Sequence, residues 1–118
     1  MLAIRSAIVF LIMAVTVIPL ATVLVISSFV APYRVTYFWI GRPWLQLAIA
    51  ATKYVGGVKT EVNGYDNLLA AAEGNRVIIC SKHQSTFETF FFPSVMTNPV
   101  AYVYKKELRW VPFFGWAI

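Results

Sequence analysis

The sequence predicts a membrane-anchored α/β chain, and three observations carry that prediction. No charged residue occurs from Ser6 through Tyr33. The pair Gly56-Gly57 then marks an abrupt change from apolar and aromatic to mixed composition. Beyond it, short runs with strand patterning alternate with segments of helical pattern, the order from which α/β domains are built. The expected organisation is a membrane anchor over 1–33, an interfacial amphipathic helix over 34–56 and the first portion of an α/β domain over 57–118.

The uncharged run exceeds the roughly 20 residues that a helix needs to cross the hydrocarbon layer. Pro19 removes a helical hydrogen bond near its middle, so the anchor is expected either to span the bilayer or to enter one leaflet as a helical hairpin. A signal peptide fits less well, because the apolar stretch is about twice the usual length and no small-x-small cleavage site closes it. Arg5 precedes the run, whereas Arg34, Arg42, Lys53 and Lys59 follow it, which places the following part on the cytoplasmic face.

In "VTYFWIGRPWLQLAIAATKY" and just before it, Tyr33, Tyr37, Trp39 and Trp44 have the amphipathic rings that favour the headgroup zone, and Arg42 is long enough to snorkel. Pro43 is suited to the first turn of a helix running to about Tyr54. This helix is expected either to lie in the interface or to pack on the domain beyond it. After the glycine pair, "VKTEV" reads as a half-buried strand, "NG" as a turn and "DNLLAAAEGN" as a short helix closed by Gly74. "RVIIC" reads as a buried strand, with the single cysteine, Cys80, as a small buried hydrophobe; Ser85 opens a helix that ends before Asn98-Pro99, and "VAYVY" is the third strand. So few short strands bury little core and leave sheet edges open, so the domain is expected to be truncated.

The net charge of +5 is spread singly or in pairs among aliphatic and aromatic runs, which favours anionic lipid and disfavours nucleic acid. One histidine, one cysteine and five scattered acids form no metal-ligand pattern. A phosphate loop, a dinucleotide fingerprint and a serine-hydrolase elbow are all missing from the sequence.

The chemistry concentrates in "SKHQSTFETF", where a strand is expected to run into a helix. Ser85-Thr86-Phe87-Glu88 fits a capping box, in which the serine oxygen accepts from the N–H three residues on and the glutamate reaches back to the serine N–H. His83 precedes the helix, so the loop can fold it toward Glu88, where a carboxylate fixes the imidazole tautomer and supports its protonated form. Spacing alone leaves capping and catalysis both open.

Together with the apolar anchor and a later "YKKELRWVPFFGW", this motif resembles the glycerolipid acyltransferase family, the bacterial lysophosphatidic acid acyltransferases in particular. The family signature is His-x4-Asp, with Glu88 standing here in place of the aspartate. Its second block is matched by Lys105, Glu107, Leu108, Pro112, Gly115 and Trp116. A Glu-Gly-Thr-Arg block that binds the substrate phosphate is expected beyond the present C-terminus. The resemblance implies a glycerol-3-phosphate acyltransferase-like α/β domain at the bacterial inner membrane, transferring an acyl group from acyl-CoA or acyl-carrier protein to the 2-hydroxyl of lysophosphatidic acid without a cofactor. It implies His83 as base, Glu88 as its orienting partner, a backbone N–H near Ser85 for the oxyanion, and Lys105 and Lys106 for phosphate. Arg109 is expected to meet substrate or anionic lipid, and "FETFFF" to form core or an acyl groove. The competing expectations are a noncatalytic anchored fragment and an acyltransferase for another lysolipid, such as a lyso-ornithine lipid.

Overall fold

The computed structural model describes residues 2–82, 84–112 and 115. Helix α1, Leu2–Ser28, runs unbroken through Pro19. At about 1.5 Å per residue it is about 40 Å long, more than the roughly 30 Å of a bilayer's hydrocarbon layer. It is the one described helix long and apolar enough to cross a membrane. Most of its large side chains are exposed, Phe10 at 74% among them.

The chain turns at Phe29–Pro32 and runs back along α1. Helices α2, Tyr33–Thr36, and α3, Arg42–Tyr54, are joined by a π-helical turn, Tyr37–Gly41, so that helical backbone continues from Tyr33 to Tyr54. Pro43 explains the wide turn. It has no N–H to donate and its ring crowds the carbonyl four residues back, so the helix passes it by widening, with the Arg42 N–H donating to the Tyr37 carbonyl. The proline expected to start a helix thus sits inside a longer one. Gly57, with φ +73, ends the run in a left-handed conformation that strains other residues.

Trp44 joins three helices. Its indole Nε1–H donates to Thr16 Oγ1 on α1 at 3.0 Å, and its ring meets Phe90 edge-on, 5.7 Å between centroids, on helix α5, Phe87–Val95. The small buried residues Ala48 and Ala51 let neighbouring helices approach α3 closely. The packing expected for this segment is seen, α3 lying against both α1 and α5. Arg42, expected to snorkel, is half-buried, with its guanidinium 5.6 Å from the Phe38 ring centroid.

Helix α4, Tyr65–Ala72, occupies the expected place, and Gly74 beyond it is in the left-handed region. The strands differ from expectation. None of 58–62, 76–80 and 100–104 forms a ladder, and there is no strand among the described residues. A strand exists only through hydrogen bonds to a neighbour, and these three segments do not pair with one another. Ile78, expected in a buried strand, is 90% exposed, and Cys80 is exposed as well. The described chain is mostly helical.

Helix α5 is held mainly by side chains from elsewhere. The last carbonyls of a helix have no internal partner, and here three in succession are taken. The Tyr37 hydroxyl donates to the Pro93 carbonyl at 3.1 Å, Arg42 Nε and Gln46 Nε2 donate to Ser94, and the Tyr65 hydroxyl donates to Val95. Arg42 also brings positive charge to the negative end of the helix dipole. Tyr37 has a second role, its hydroxyl accepting the Val100 N–H at 3.3 Å and so seating segment 100–104 beside the helix.

Candidate active site

The motif residues gather at the other end of α5, which begins two residues later than expected, at Phe87. Ser85 lies just ahead of it. Its hydroxyl donates to Glu88 Oε2 at 3.0 Å and accepts the Phe87 N–H at 3.2 Å, rather than the N–H of Glu88. The Glu88 carboxylate also receives the N–H groups of Gln84 and Ser85, between 3.2 and 3.3 Å. These three donors engage both oxygens and occupy most of the roughly four acceptor positions of a carboxylate. Its own backbone N–H holds Glu88 below the usual glutamate range; desolvation opposes this as the next effect in size, and the Ser85 hydroxyl and the N–H groups of Gln84 and Ser85 add to the lowering. Glu88 is therefore ionised at neutral pH.

Expected base His83 lies outside the described residues, as do Phe113, Phe114 and Trp116 of the second block. Gln84, the residue directly after His83, is bonded through its backbone to Glu88. The Ser85 N–H, expected near an oxyanion, is spent on the same carboxylate.

Ser85 and Phe87 form one wall of a cleft of about 490 Å³, whose other walls come from Thr52 at the end of α3 and from Val58, Lys59, Thr60 and Glu61. Spacing gave no signal for this side, because the segment lies far from the motif in sequence and is brought to it by the turn at Gly56-Gly57. The cleft offers hydroxyl groups, one lysine and an apolar ring beside the motif. A second cleft, about 570 Å³ between α4 and Thr97-Asn98, contains none of the expected site residues.

The basic block is approached along α5. Tyr102 donates its hydroxyl to the Thr89 carbonyl at 2.7 Å, one residue past Glu88. Burial, and secondarily the neighbouring Tyr37, pushes the Tyr102 phenol up to about 12, so it remains a donor at neutral pH. Lys105 and the short 3-10 helix Lys106–Trp110 come next, with Lys105, Lys106 and Arg109 exposed and in no hydrogen bond with Ser85 or Glu88 among the described residues. Gly115 closes the block. Its N–H donates to the Val111 carbonyl at 2.8 Å, and a Cβ there would collide with the Leu108 carbonyl.

No protein-family model and no solved structure matches the chain. Among curated proteins, it is 36% identical over 116 residues to the 1-acyl-sn-glycerol-3-phosphate acyltransferase of Pseudomonas aeruginosa. The match takes in 98% of this chain and 43% of the length of that protein. The apolar helix, the histidine motif and the basic block thus all fall within a chain similar to a bacterial 1-acyl-sn-glycerol-3-phosphate acyltransferase, of which it spans less than half.

Proposed function

We propose that the chain carries the histidine half of the active site of a lysophosphatidic acid acyltransferase, which moves an acyl group from acyl-CoA or acyl-carrier protein to the 2-hydroxyl of lysophosphatidic acid and yields phosphatidic acid. The observation that carries the reading is the similarity to the Pseudomonas acyltransferase across almost the whole chain, the histidine motif included.

In this reaction His83 takes the proton of the acceptor hydroxyl as its oxygen attacks the thioester carbonyl, since a neutral alcohol is a weak nucleophile. The tetrahedral intermediate collapses, the bond from carbon to sulfur breaks, and the carrier leaves as a thiol after accepting the proton from the imidazolium. Glu88, ionised and held by Ser85 and Gln84, orients the imidazole and offsets its transient positive charge. Its remaining acceptor position is the one available to His83. The cleft beside Ser85 and Phe87 receives the reacting ends, with Ser85 and Lys59 on its walls, and Lys105, Lys106 and Arg109 meet phosphate or the anionic lipid surface.

Helix α1 anchors the protein in the bacterial inner membrane with the motif on the cytoplasmic side, keeping the site beside a lipid acceptor and product. In this reading the segments 58–62, 76–80 and 100–104, unpaired among the described residues, become strands of an α/β domain when other strands pair with them, and the exposure of Ile78 and Val103 fits that reading. Incubating the full-length protein with an acyl thioester and a panel of lysolipids tests the reading. Phosphatidic acid forms from lysophosphatidic acid; acylation confined to a lyso-ornithine lipid contradicts the acceptor, and no acylation contradicts the activity.

A further inference from the structure

Helix α5 contains an internal proline, which leaves one of its carbonyls without a helical partner. Pro93 has no N–H, so the Thr89 carbonyl one turn earlier has no helical donor. A neighbouring carbonyl, that of Phe92, is bonded normally by the Met96 N–H at 3.0 Å. The vacant acceptor at Thr89 is filled from outside the helix by the Tyr102 hydroxyl at 2.7 Å, the ordinary length for an O–H donor to an oxygen. We propose that Tyr102 is a positioning residue, which uses the carbonyl freed by Pro93 to fix the basic segment Lys105–Arg109 relative to the His83–Glu88 motif.

The geometry carries this in two steps. Segment 100–104 is tied at two points, Val100 through Tyr37 to Pro93 and Tyr102 directly to Thr89, so it runs antiparallel to α5 and toward its first turn. Two extended residues advance about 6.6 Å and four helical residues about 6 Å, so the two ties match one turn of the helix and set a single register. Lys105 lies three residues beyond Tyr102, within about 11 Å along the chain, while Glu88 immediately precedes Thr89. The anchored carbonyl therefore sets how far the cations stand from the carboxylate. In a lysophosphatidic acid only a few bonds separate the attacking hydroxyl from the phosphate, so the base and the phosphate-binding cations must be held at a matching separation. The sequence offered no spacing rule for this pairing, but it did offer two parts: a proline inside a helical segment and a tyrosine-rich run next to a lysine pair.

The inference rests on the acyltransferase reading, and the experiment separates the two. In the full-length protein, Tyr102→Phe keeps the ring and removes only the hydroxyl, and it raises KM for lysophosphatidic acid about fivefold, within the range expected for one hydrogen bond, while kcat changes less than about twofold. In a Lys105→Ala/Lys106→Ala background the same substitution adds nothing further to KM, because the groups it positions are gone. An unchanged KM, an equal fivefold increase in the double-alanine background, or a loss of folded protein on thermal melting with KM intact overturns the inference while leaving the proposed reaction standing. Turnover retained by His83→Ala overturns the reaction itself.

Discussion

At its C-terminal end α5 is gripped by Tyr37, Arg42, Gln46 and Tyr65, side chains that reach it from other elements, whereas its N-terminal end is closed locally by Ser85, just ahead of it, and Glu88 of its own first turn. The first end is largely buried, with Pro93 and Ser94 inside the protein; the second opens on a cleft. The difference separates two tasks. An end that only has to be held is built from groups distant in sequence, which fasten the helix to the α1–α3 hairpin. The end that would admit reactants in the proposed reaction is capped by its own first turn and the residues just before it, which leaves its outer side open.

This comparison orders the effects of substitutions. Glu88→Gln keeps an oxygen to accept part of the cap but loses the charge that, in the proposed reaction, supports the His83 imidazolium. Turnover by the full-length protein is expected to fall about a hundredfold or more with little change in melting temperature, and near-normal turnover would reduce Glu88 to a cap. Trp44→Ala removes the contact among α1, α3 and α5. Because the indole is half-buried, the expected loss is about 2–3 kcal/mol, below the range for a fully enclosed tryptophan, read from unfolding in detergent. Tyr37→Phe strands the Val100 N–H and the Pro93 carbonyl and costs about 1–2 kcal/mol, with turnover per folded molecule at saturating substrate nearly unchanged and any loss confined to KM, since segment 100–104 keeps only its Tyr102 tie. A large loss of turnover there would mean that the two ends of α5 are not separate in function. The smallest effect concerns pH. Glu88 is held below its ordinary 4.5, so its cap stabilises the fold above that value and is lost only as pH falls through the lowered one. Acid melting of the wild type against Glu88→Gln should therefore converge only below pH 4.5, and convergence nearer neutrality contradicts an ionised cap.

How much the sequence revealed depends on the range of the interactions involved. The long uncharged run, the helix ending at the glycine pair, α4 and the reach of Glu88 back to the Ser85 N–H all depend on residues close in the chain, and the structure places each where local pattern expects it, although the Ser85 hydroxyl takes the Phe87 N–H instead of that of Glu88. Pro43 was misleading because the same proline that starts a helix can be passed by a π-turn when packing on both sides favours continuation. Segments such as "RVIIC" carry strand composition, but composition cannot supply the neighbouring strand that turns it into a ladder. The grip on the far end of α5 was invisible for a related reason: Tyr37 and Arg42 read as interfacial residues by type, and only the return of the chain along α1 brings them to the α5 carbonyls.

The most direct measurement is phosphatidic acid formation from lysophosphatidic acid and an acyl thioester by the full-length protein and its His83→Ala variant, with membrane association monitored in parallel. The account predicts that the substitution abolishes acyl transfer while the protein remains membrane-bound. Normal turnover in His83→Ala would contradict it.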